Sequence, residues 1–138
     1  MNTYISEPLH SKPINVRLIE VIHLPKLTRL NEYINAERKN KFIAAKIKNK
    51  ETELCAWHFA GKKYKPPIAF SFVWHENDNR YDFDNIAFAK KFIFDGMQMA
   101  GAIKNDSRKY VNEIIFEYVI KSDIGTGVEV GIWEILDE

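Results

Sequence analysis

Residues 80–101 carry the sequence RYDFDNIAFAKKFIFDGMQMAG, in which an acidic motif directly precedes a helical pattern. Apolar residues recur at the spacing of one helix face, at Ile86, Ala89, Ile93, Met97 and Ala100. Gly101 follows at the position where a left-handed cap commonly ends a helix. We therefore predict a helix from Asn85 to Gly101 that buries this apolar face.

The segments on both sides of this helix predict strands and a further helical region. Runs of apolar and β-branched residues predict strands over 16–24, 68–75, 110–120 and 128–135. Helical spacing extends over 31–61, with a break near Asn40 and with an apolar face formed by Ile43, Ile47, Leu54 and Trp57. The pair Pro66-Pro67 ends this region, because a residue before proline is biased away from the helix.

The order strand, helices, strand, helix, strand, strand predicts an α+β domain, with a small mixed sheet packed against helices. The turn-forming run 123–127 predicts a hairpin-like connection between the last two strands. No repeat or Gly/Ser linker divides the chain, so residues 14–138 are expected to form a single domain. Residues 1–13 carry Pro8 and Pro13 and little periodicity, and we expect them to be a flexible arm.

Composition excludes several classes of protein. The 138 residues are 46% hydrophobic, which suffices for one core and argues against disorder. The single cysteine, Cys55, excludes an intramolecular disulfide or a thiolate-rich zinc site, and it is expected to be a small buried hydrophobe. The four histidines show no ligand spacing and are expected to have structural or surface roles. No apolar stretch is long enough to span a bilayer and no signal-peptide pattern is visible, so we expect a cytoplasmic protein without a membrane partner.

Charge is distributed unevenly along the chain. Residues 37–50 contain six basic side chains and one acidic one, whereas residues 112–138 contain seven acidic side chains and one lysine. This asymmetry predicts one basic face and one acidic end, although a lysine-rich helix face is also compatible with simple solvation.

The motif Asp82-Phe83-Asp84 is the first candidate for chemistry. In an extended segment, residues two apart point to the same side, so Asp82 and Asp84 would present two carboxylates to one cation while Phe83 faces the core. Magnesium prefers oxygen ligands and keeps several waters, so two or three carboxylates are enough to bind it beside a phosphate. The alternative is structural, because an aspartate before a helix is also a common N-cap.

A longer pattern contains this motif: Arg80, then Asp82, Asp84 and Asn85, then a helix carrying Lys91, then Asp106 before the next strand. This pattern resembles the RusA family of Holliday-junction resolvases, and the run 30–33 resembles the asparagine-containing turn after that family's first strand. The resemblance implies a RusA-like fold and a magnesium-dependent endodeoxyribonuclease, with Mn²⁺ as a substitute metal and no nucleotide cofactor. It also implies a symmetric homodimer that nicks four-way DNA junctions during recombination and repair.

The resemblance assigns roles residue by residue. It makes Asp82, Asp84 and Asp106 the catalytic metal ligands, with Lys91 neutralising charge on the attacked phosphate. On a continuous helix Lys91 lies about 700° after Asp84, nearly on the same face, whereas Lys90 lies about 120° away. Basic residues expected to contact DNA phosphates are Arg80, Lys39, Lys41, Lys62, Lys63 and Arg108. Trp57, Phe59 and Tyr64 would either stack on exposed bases or lie in the core.

Asp106 raises a geometric problem, because a helix from Asn85 to Gly101 would be roughly 25 Å long. Asp84 and Asp106 of one chain would then lie near opposite ends of that helix. Two such helices packed antiparallel across a two-fold axis would instead bring Asp106 of one subunit near Asp82 and Asp84 of the other.

This chain departs from the family's pattern in three places, one of which is a helix one turn longer than in the family's best-known form, which bears on the assignment of Lys91. Only Arg80 remains of an arginine-rich stretch before the aspartates, and Asn105 stands where the family has the first member of an aspartate pair. Two alternatives therefore stay open. One is a DNA-binding module of the same fold with impaired catalysis, which would lack carboxylate-dependent metal affinity. The other is a nuclease for flaps or forks, which differs only in its substrate.

Overall fold

The computed structural model describes residues 2–5, 14–111, 113–123 and 125–136. In chain order, its elements are β1 (Asn2–Ile5), β2 (Ile14–Pro25), α1 (Leu30–Lys39), α2 (Lys41–His58), β3 (Ile68–Glu76), α3 (Phe83–Ala87), α4 (Lys90–Ala100), β4 (Glu113–Lys121) and β5 (Gly127–Ile135). The predicted α+β class and mixed sheet are confirmed. Among the described residues, no helix combines the length and hydropathy needed to cross a bilayer.

The five strands form one sheet in the order β1-β2-β5-β3-β4. Among the described strands, β3 and β4 run parallel, and every other neighbouring pair is antiparallel. Parallel neighbours need a crossover connection, and α3 and α4 lie on the chain between β3 and β4. Strand β5 pairs with β2 on one side and with β3 on the other, so it occupies the centre of the sheet.

The predicted hairpin between the last two strands is wrong. β4 lies outside β3 at the edge of the sheet, and β5 fills the position between β2 and β3. The run 123–127 has the composition of a turn, but a turn signal does not specify which strand the following one will pair with. Pairing is decided here by burial, since alternate residues of β5 (Val128, Val130 and Ile132) lie in the main core.

Part of the expected N-terminal arm belongs to the sheet. Residues 2–5 form β1, which pairs antiparallel with the beginning of β2, where Asn2 lies opposite Arg17. This part of the segment is therefore an edge strand, and residues 6–13 of the expected arm lie outside the described residues.

The expected break near Asn40 is confirmed. Asn40 has extended backbone angles (φ −167°, ψ 122°) between α1 and α2, and its side-chain Oδ1 accepts a hydrogen bond from the backbone N–H of Phe42 at 2.7 Å. This is the normal arrangement of an N-cap asparagine. It also explains why the helical pattern of residues 31–61 forms two helices.

The predicted apolar face of α2 is wrong in part. Leu54 packs against the main core and Ile47 is partly buried, but Ile43 and Trp57 are exposed. The buried residues of α2 are Ala44, Thr52 and Cys55. Small side chains are required on the buried side because α2 crosses α4 very closely at Gly96. The large apolar residues that the sequence pattern placed inside therefore lie to one side of the contact or face outward.

The helix predicted from Asn85 to Gly101 is two helices, since α3 ends at Ala87 and α4 begins at Lys90. Its predicted apolar face is nevertheless confirmed for Ile86, Ala89, Ile93 and Met97, which are all buried. Gly101 has a φ of 78°, so the predicted left-handed cap is confirmed.

The main core lies between the helices and one face of the sheet. Phe70, Phe72 and Trp74 of β3 contribute to it together with residues from α2 and α4. On the other sheet face, the described residues form a small buried cluster of Val16, Ala69, Ile115 and Trp133. Exposed apolar side chains on the strands are Leu18, Ile19, Val21, Tyr118 and Ile120.

Cys55 lies where α2 meets α4 and is fully buried. Burial raises the pKa of its thiol to about 12, and the nearby charge of Glu51 acts in the same direction. A thiol with such a pKa is not a nucleophile near neutral pH. The expectation of a small buried hydrophobe is confirmed.

The close crossing of α2 and α4 predicts a strong effect of Gly96→Ala. A Cβ at position 96 would lie 2.4 Å from the Cys55 Cβ and 2.8 Å from the Ala56 backbone nitrogen, so one helix must shift. We expect the free energy of unfolding, measured by urea denaturation, to fall by about 2–3 kcal/mol. Gly101→Ala is the control, because it meets open space and costs only its left-handed backbone, about 1 kcal/mol. Equal losses for the two variants would contradict a tight crossing.

Candidate metal and DNA site

The acidic motif lies at the beginning of α3. Asp82 is the N-cap residue with extended backbone, and Asp84 is the second residue of the helix. Both side chains are exposed, and the Asp82 carboxylate does not cap the helix within the described part of the chain. The prediction of a continuous extended Asp-x-Asp segment is therefore wrong from Phe83 onward. Phe83 itself is exposed, so the expectation that it faces the core is also wrong.

Asn85 connects this motif to the beginning of α1. Its side-chain Oδ1 accepts a hydrogen bond from the backbone N–H of Asn31 at 2.8 Å. Asn31 lies in the first turn of α1, whose backbone N–H groups have no partner within the helix. Two segments that the sequence analysis connected only through a family resemblance are thus in direct contact.

A buried ion pair connects the residue before α1 to the end of β3. Arg29 precedes α1, Glu76 ends β3, and the Arg29 Nη2 and Glu76 Oε1 atoms are 2.7 Å apart with both side chains buried. The guanidinium also lies over the Tyr81 ring, 4.0 Å from its centroid. Burial acts to lower the pKa of Arg29, but the hydrogen bond and charge of Glu76 outweigh it and raise that pKa. Arg29 therefore stays charged and ties the end of β3 to the beginning of α1.

Sequence reasoning missed the Arg29–Glu76 pair. The available signal was Glu76, a carboxylate at the end of a strand that is otherwise apolar and buried. A charge in that position needs a partner, because an unpaired buried carboxylate is very costly. The sequence does not say which of its many cations is that partner.

The two lysines of the first turn of α4 have different environments. Lys90 Nζ lies 2.5 Å from Glu117 Oε1 on β4, and the Trp74 indole N–H donates to the other oxygen of Glu117 at 2.8 Å. Lys90 is thus held in a structural network, whereas Lys91 is exposed. The predicted position of Lys91 on the face of Asp84 requires one continuous helix. Because α3 ends at Ala87 and α4 begins at Lys90, that geometry no longer supports the assignment, and a role for Lys91 stays a prediction.

The third predicted carboxylate lies after α4. Asp106 is exposed, and the Oδ1 atom of its neighbour Asn105 accepts a hydrogen bond from the Ser107 backbone N–H at 2.9 Å, as in a tight turn. Within the part of the chain that the structure describes, no group of three or more histidine, cysteine, aspartate or glutamate side chains could hold a metal ion. One chain alone therefore does not assemble Asp82, Asp84 and Asp106 into a ligand set.

Most of the predicted DNA contacts lie on the surface. The exposed ones are Lys39, Lys41, Lys63, Arg80 and Arg108. Lys62 differs, because its Nζ lies 2.8 Å from Glu20 Oε1, and the Tyr64 hydroxyl donates to the other Glu20 oxygen at 2.8 Å. Burial acts to raise the pKa of Glu20, but these two hydrogen bonds outweigh it and lower that pKa. Lys62 is thus partly neutralised by a structural partner.

The three aromatic residues proposed for stacking differ in their exposure. Phe59 and Tyr64 are buried in the core, so the structural alternative is confirmed for them. Trp57 is exposed and stays a candidate for contact with bases.

Two histidines lie on the sheet face opposite the helices. His75 Nε2 is 3.2 Å from Glu129 Oε1, and His23 is the cross-strand neighbour of Glu129 in the β2–β5 register. This proximity could not be predicted from the sequence pattern, because the three residues are far apart along the chain. They do not amount to a metal-ligand group among the described residues.

Neither a comparison with protein-family models nor a comparison with curated proteins identifies a match for this chain. The function is therefore inferred from the residues and their arrangement.

The buried ion pair can be tested by a double-mutant cycle. Glu76→Leu leaves the buried Arg29 guanidinium with only the partly exposed Glu32 carboxylate, 3.4 Å from its Nη1, as counter-charge, so we expect the free energy of unfolding to fall by about 3 kcal/mol in urea denaturation. Arg29→Met is the other single variant of the cycle. The double variant Arg29→Met with Glu76→Leu removes both charges and should recover most of that loss. Strictly additive effects of the single and double substitutions would mean that the two side chains do not interact.

Proposed function

We propose that this protein is a magnesium-dependent, structure-specific endodeoxyribonuclease that acts as a homodimer on branched DNA such as a four-way junction. The observation that carries the proposal is the acidic motif at the beginning of α3. Asp82 and Asp84 present two exposed carboxylates two residues apart, on a segment supported by the Asn85–Asn31 hydrogen bond and by the Arg29–Glu76 pair. Contacts of this kind help to hold a catalytic group in position.

The donor set suits magnesium. Carboxylate oxygens are its preferred protein ligands, and exposure leaves room for water and for a DNA phosphate beside them. A bound Mg²⁺ would polarise the phosphodiester and lower the pKa of the attacking water. In this proposal Asp82 and Asp84 hold the metal and orient the phosphate, and Lys91 supplies positive charge close to it. Mn²⁺ would substitute for Mg²⁺ in the same oxygen site, and no nucleotide cofactor takes part.

The remaining carboxylate, Asp106, favours a homodimer. Since one described chain does not group it with the other two, a role for Asp106 in metal binding requires the site to be shared between subunits. The sequence-based prediction places this helix of two subunits antiparallel across the two-fold axis. Little of α4 is free for such a contact, because α2 and the sheet already cover it. What α4 exposes is a narrow side carrying Lys91 and Met99.

The second candidate is a DNA-binding module of this fold without catalysis. It is favoured by Asn105, whose amide oxygen is occupied in a turn, and by the incomplete ligand set of the single chain. A nuclease for flaps or forks stays a third possibility, because these substrates present the same phosphodiester. The buried, unreactive cysteine suits all three in a reducing cytosol.

Cleavage of end-labelled four-way, forked and linear DNA, with and without Mg²⁺, tests the proposal. We expect the four-way junction to be cut only with Mg²⁺, and Asp84→Asn to lower the rate at least roughly a hundredfold, because it removes a metal ligand. Asp123→Asn is the matched control, an exposed aspartate in the turn after β4, and it should cut at the wild-type rate. Metal-independent cutting, or an active Asp84→Asn variant, would overturn the proposal. Junction binding without cutting would favour the module.

Mixing two inactive variants tests the shared site. Asp82→Asn and Asp106→Asn chains, denatured together and refolded, would form heterodimers in which one of the two sites has a full set of ligands. Single-strand nicking should then reappear in the mixture although each parent is inactive. A mixture that stays inactive, while light scattering shows dimers, would mean that Asp106 acts within its own subunit or has no role in the site.

A further inference from the structure

The outward face of α2 carries two uncovered aromatic rings. Phe42 is 74% exposed and Trp57 is 76% exposed, whereas the other two tryptophans, Trp74 and Trp133, are only 3% and 8% exposed. Single exposed apolar side chains are common on protein surfaces, so the exposure of these two rings alone does not identify a binding site. Their position relative to the charged residues of the same helix makes this face a candidate for binding.

These residues share one side of the helix. At about 100° per residue, Phe42, Lys46, Lys50 and Trp57 fall within about 80° of one another, and the rings are separated by roughly 22 Å along the helix axis. The buried residues of α2, Ala44, Thr52 and Cys55, point the opposite way. The arrangement follows from the way in which α2 packs on α4, and the outer face is not needed for that contact.

The charge on this face indicates which kind of partner it would bind. Lys46 and Lys50 lie between the two rings and are exposed, and Lys39 and Lys41 are exposed at the Phe42 end. The exposed acid among them is Glu53. A second copy of the same face would bring these lysines together, which disfavours self-association. Phosphates accompanied by unstacked bases match both the cations and the rings, because bases stack on aromatic side chains irrespective of sequence.

We propose that the outer face of α2 binds a single strand of nucleic acid, with Trp57 and Phe42 stacking on unpaired bases and Lys46 and Lys50 contacting the phosphates. This goes beyond the proposed cleavage, because it requires none of the carboxylates and no metal. At a branched substrate, such a face would bind nucleotides that have left the duplex.

Binding of a fluorescein-labelled oligothymidylate in EDTA tests the inference separately from cleavage. Trp57→Ala should weaken binding roughly tenfold. Lys46→Gln with Lys50→Gln should also weaken it and should flatten its dependence on salt. Met99→Ala removes another exposed apolar side chain and Lys48→Gln removes a lysine from the opposite side of α2, and both should bind like the wild type.

Intrinsic fluorescence gives a second readout, because Trp57 is the exposed tryptophan of the three. Oligothymidylate should protect the wild-type protein from acrylamide quenching, and this protection should vanish in Trp57→Ala. Unchanged affinity of a folded Trp57→Ala variant would overturn the inference. So would a Trp57→Ala variant with a smaller mass in light scattering and wild-type affinity for the oligonucleotide, since the face would then join copies of the chain.

Discussion

The arrangement of the candidate site depends on one buried pair of opposite charges. Arg29 and Glu76 come from segments that are far apart in sequence, and neither side chain is tolerable in the interior without the other. Their pairing fixes the end of β3 beside the beginning of α1. The ring of Tyr81, which precedes α3, lies against the Arg29 guanidinium. The exposed aspartates that follow therefore lie at the beginning of a helix that is connected to α1 through the Asn85–Asn31 hydrogen bond.

The sequence predicted most of the elements and few of their partners. The positions of β3, of the apolar face through Ile93 and Met97, and of the caps at Asn40 and Gly101 all follow from local periodicity or from one residue's preference. Strand order does not, because a turn signal carries no information about which strand will be the neighbour. The buried face of α2 was misjudged for a related reason, since a close helix crossing favours alanine and cysteine over the larger residues used to recognise a core.

The site was predictable to a similar degree. Residue types and spacing singled out Asp82 and Asp84, and the family resemblance added Asn85, but neither indicated the contact between Asn85 and the backbone of Asn31. The roles of the basic residues required the coordinates, because Lys62 and Lys90 are committed to Glu20 and Glu117 while other lysines are exposed. Whether carboxylates converge across an interface is a property of two chains, which neither the pattern of one sequence nor the fold of one subunit contains.

The central position of β5 has a consequence for how the chain acquires its structure. The strand made last among these elements is inserted between two made much earlier, and β2 and β3 have no pairing with each other. While a ribosome is still synthesising residues 127–135, the nascent polypeptide can hold only β1 with β2 and β3 with β4, each exposing an unsatisfied edge. The complete sheet must therefore form after translation of this region, in a late step dominated by contacts of high sequence separation.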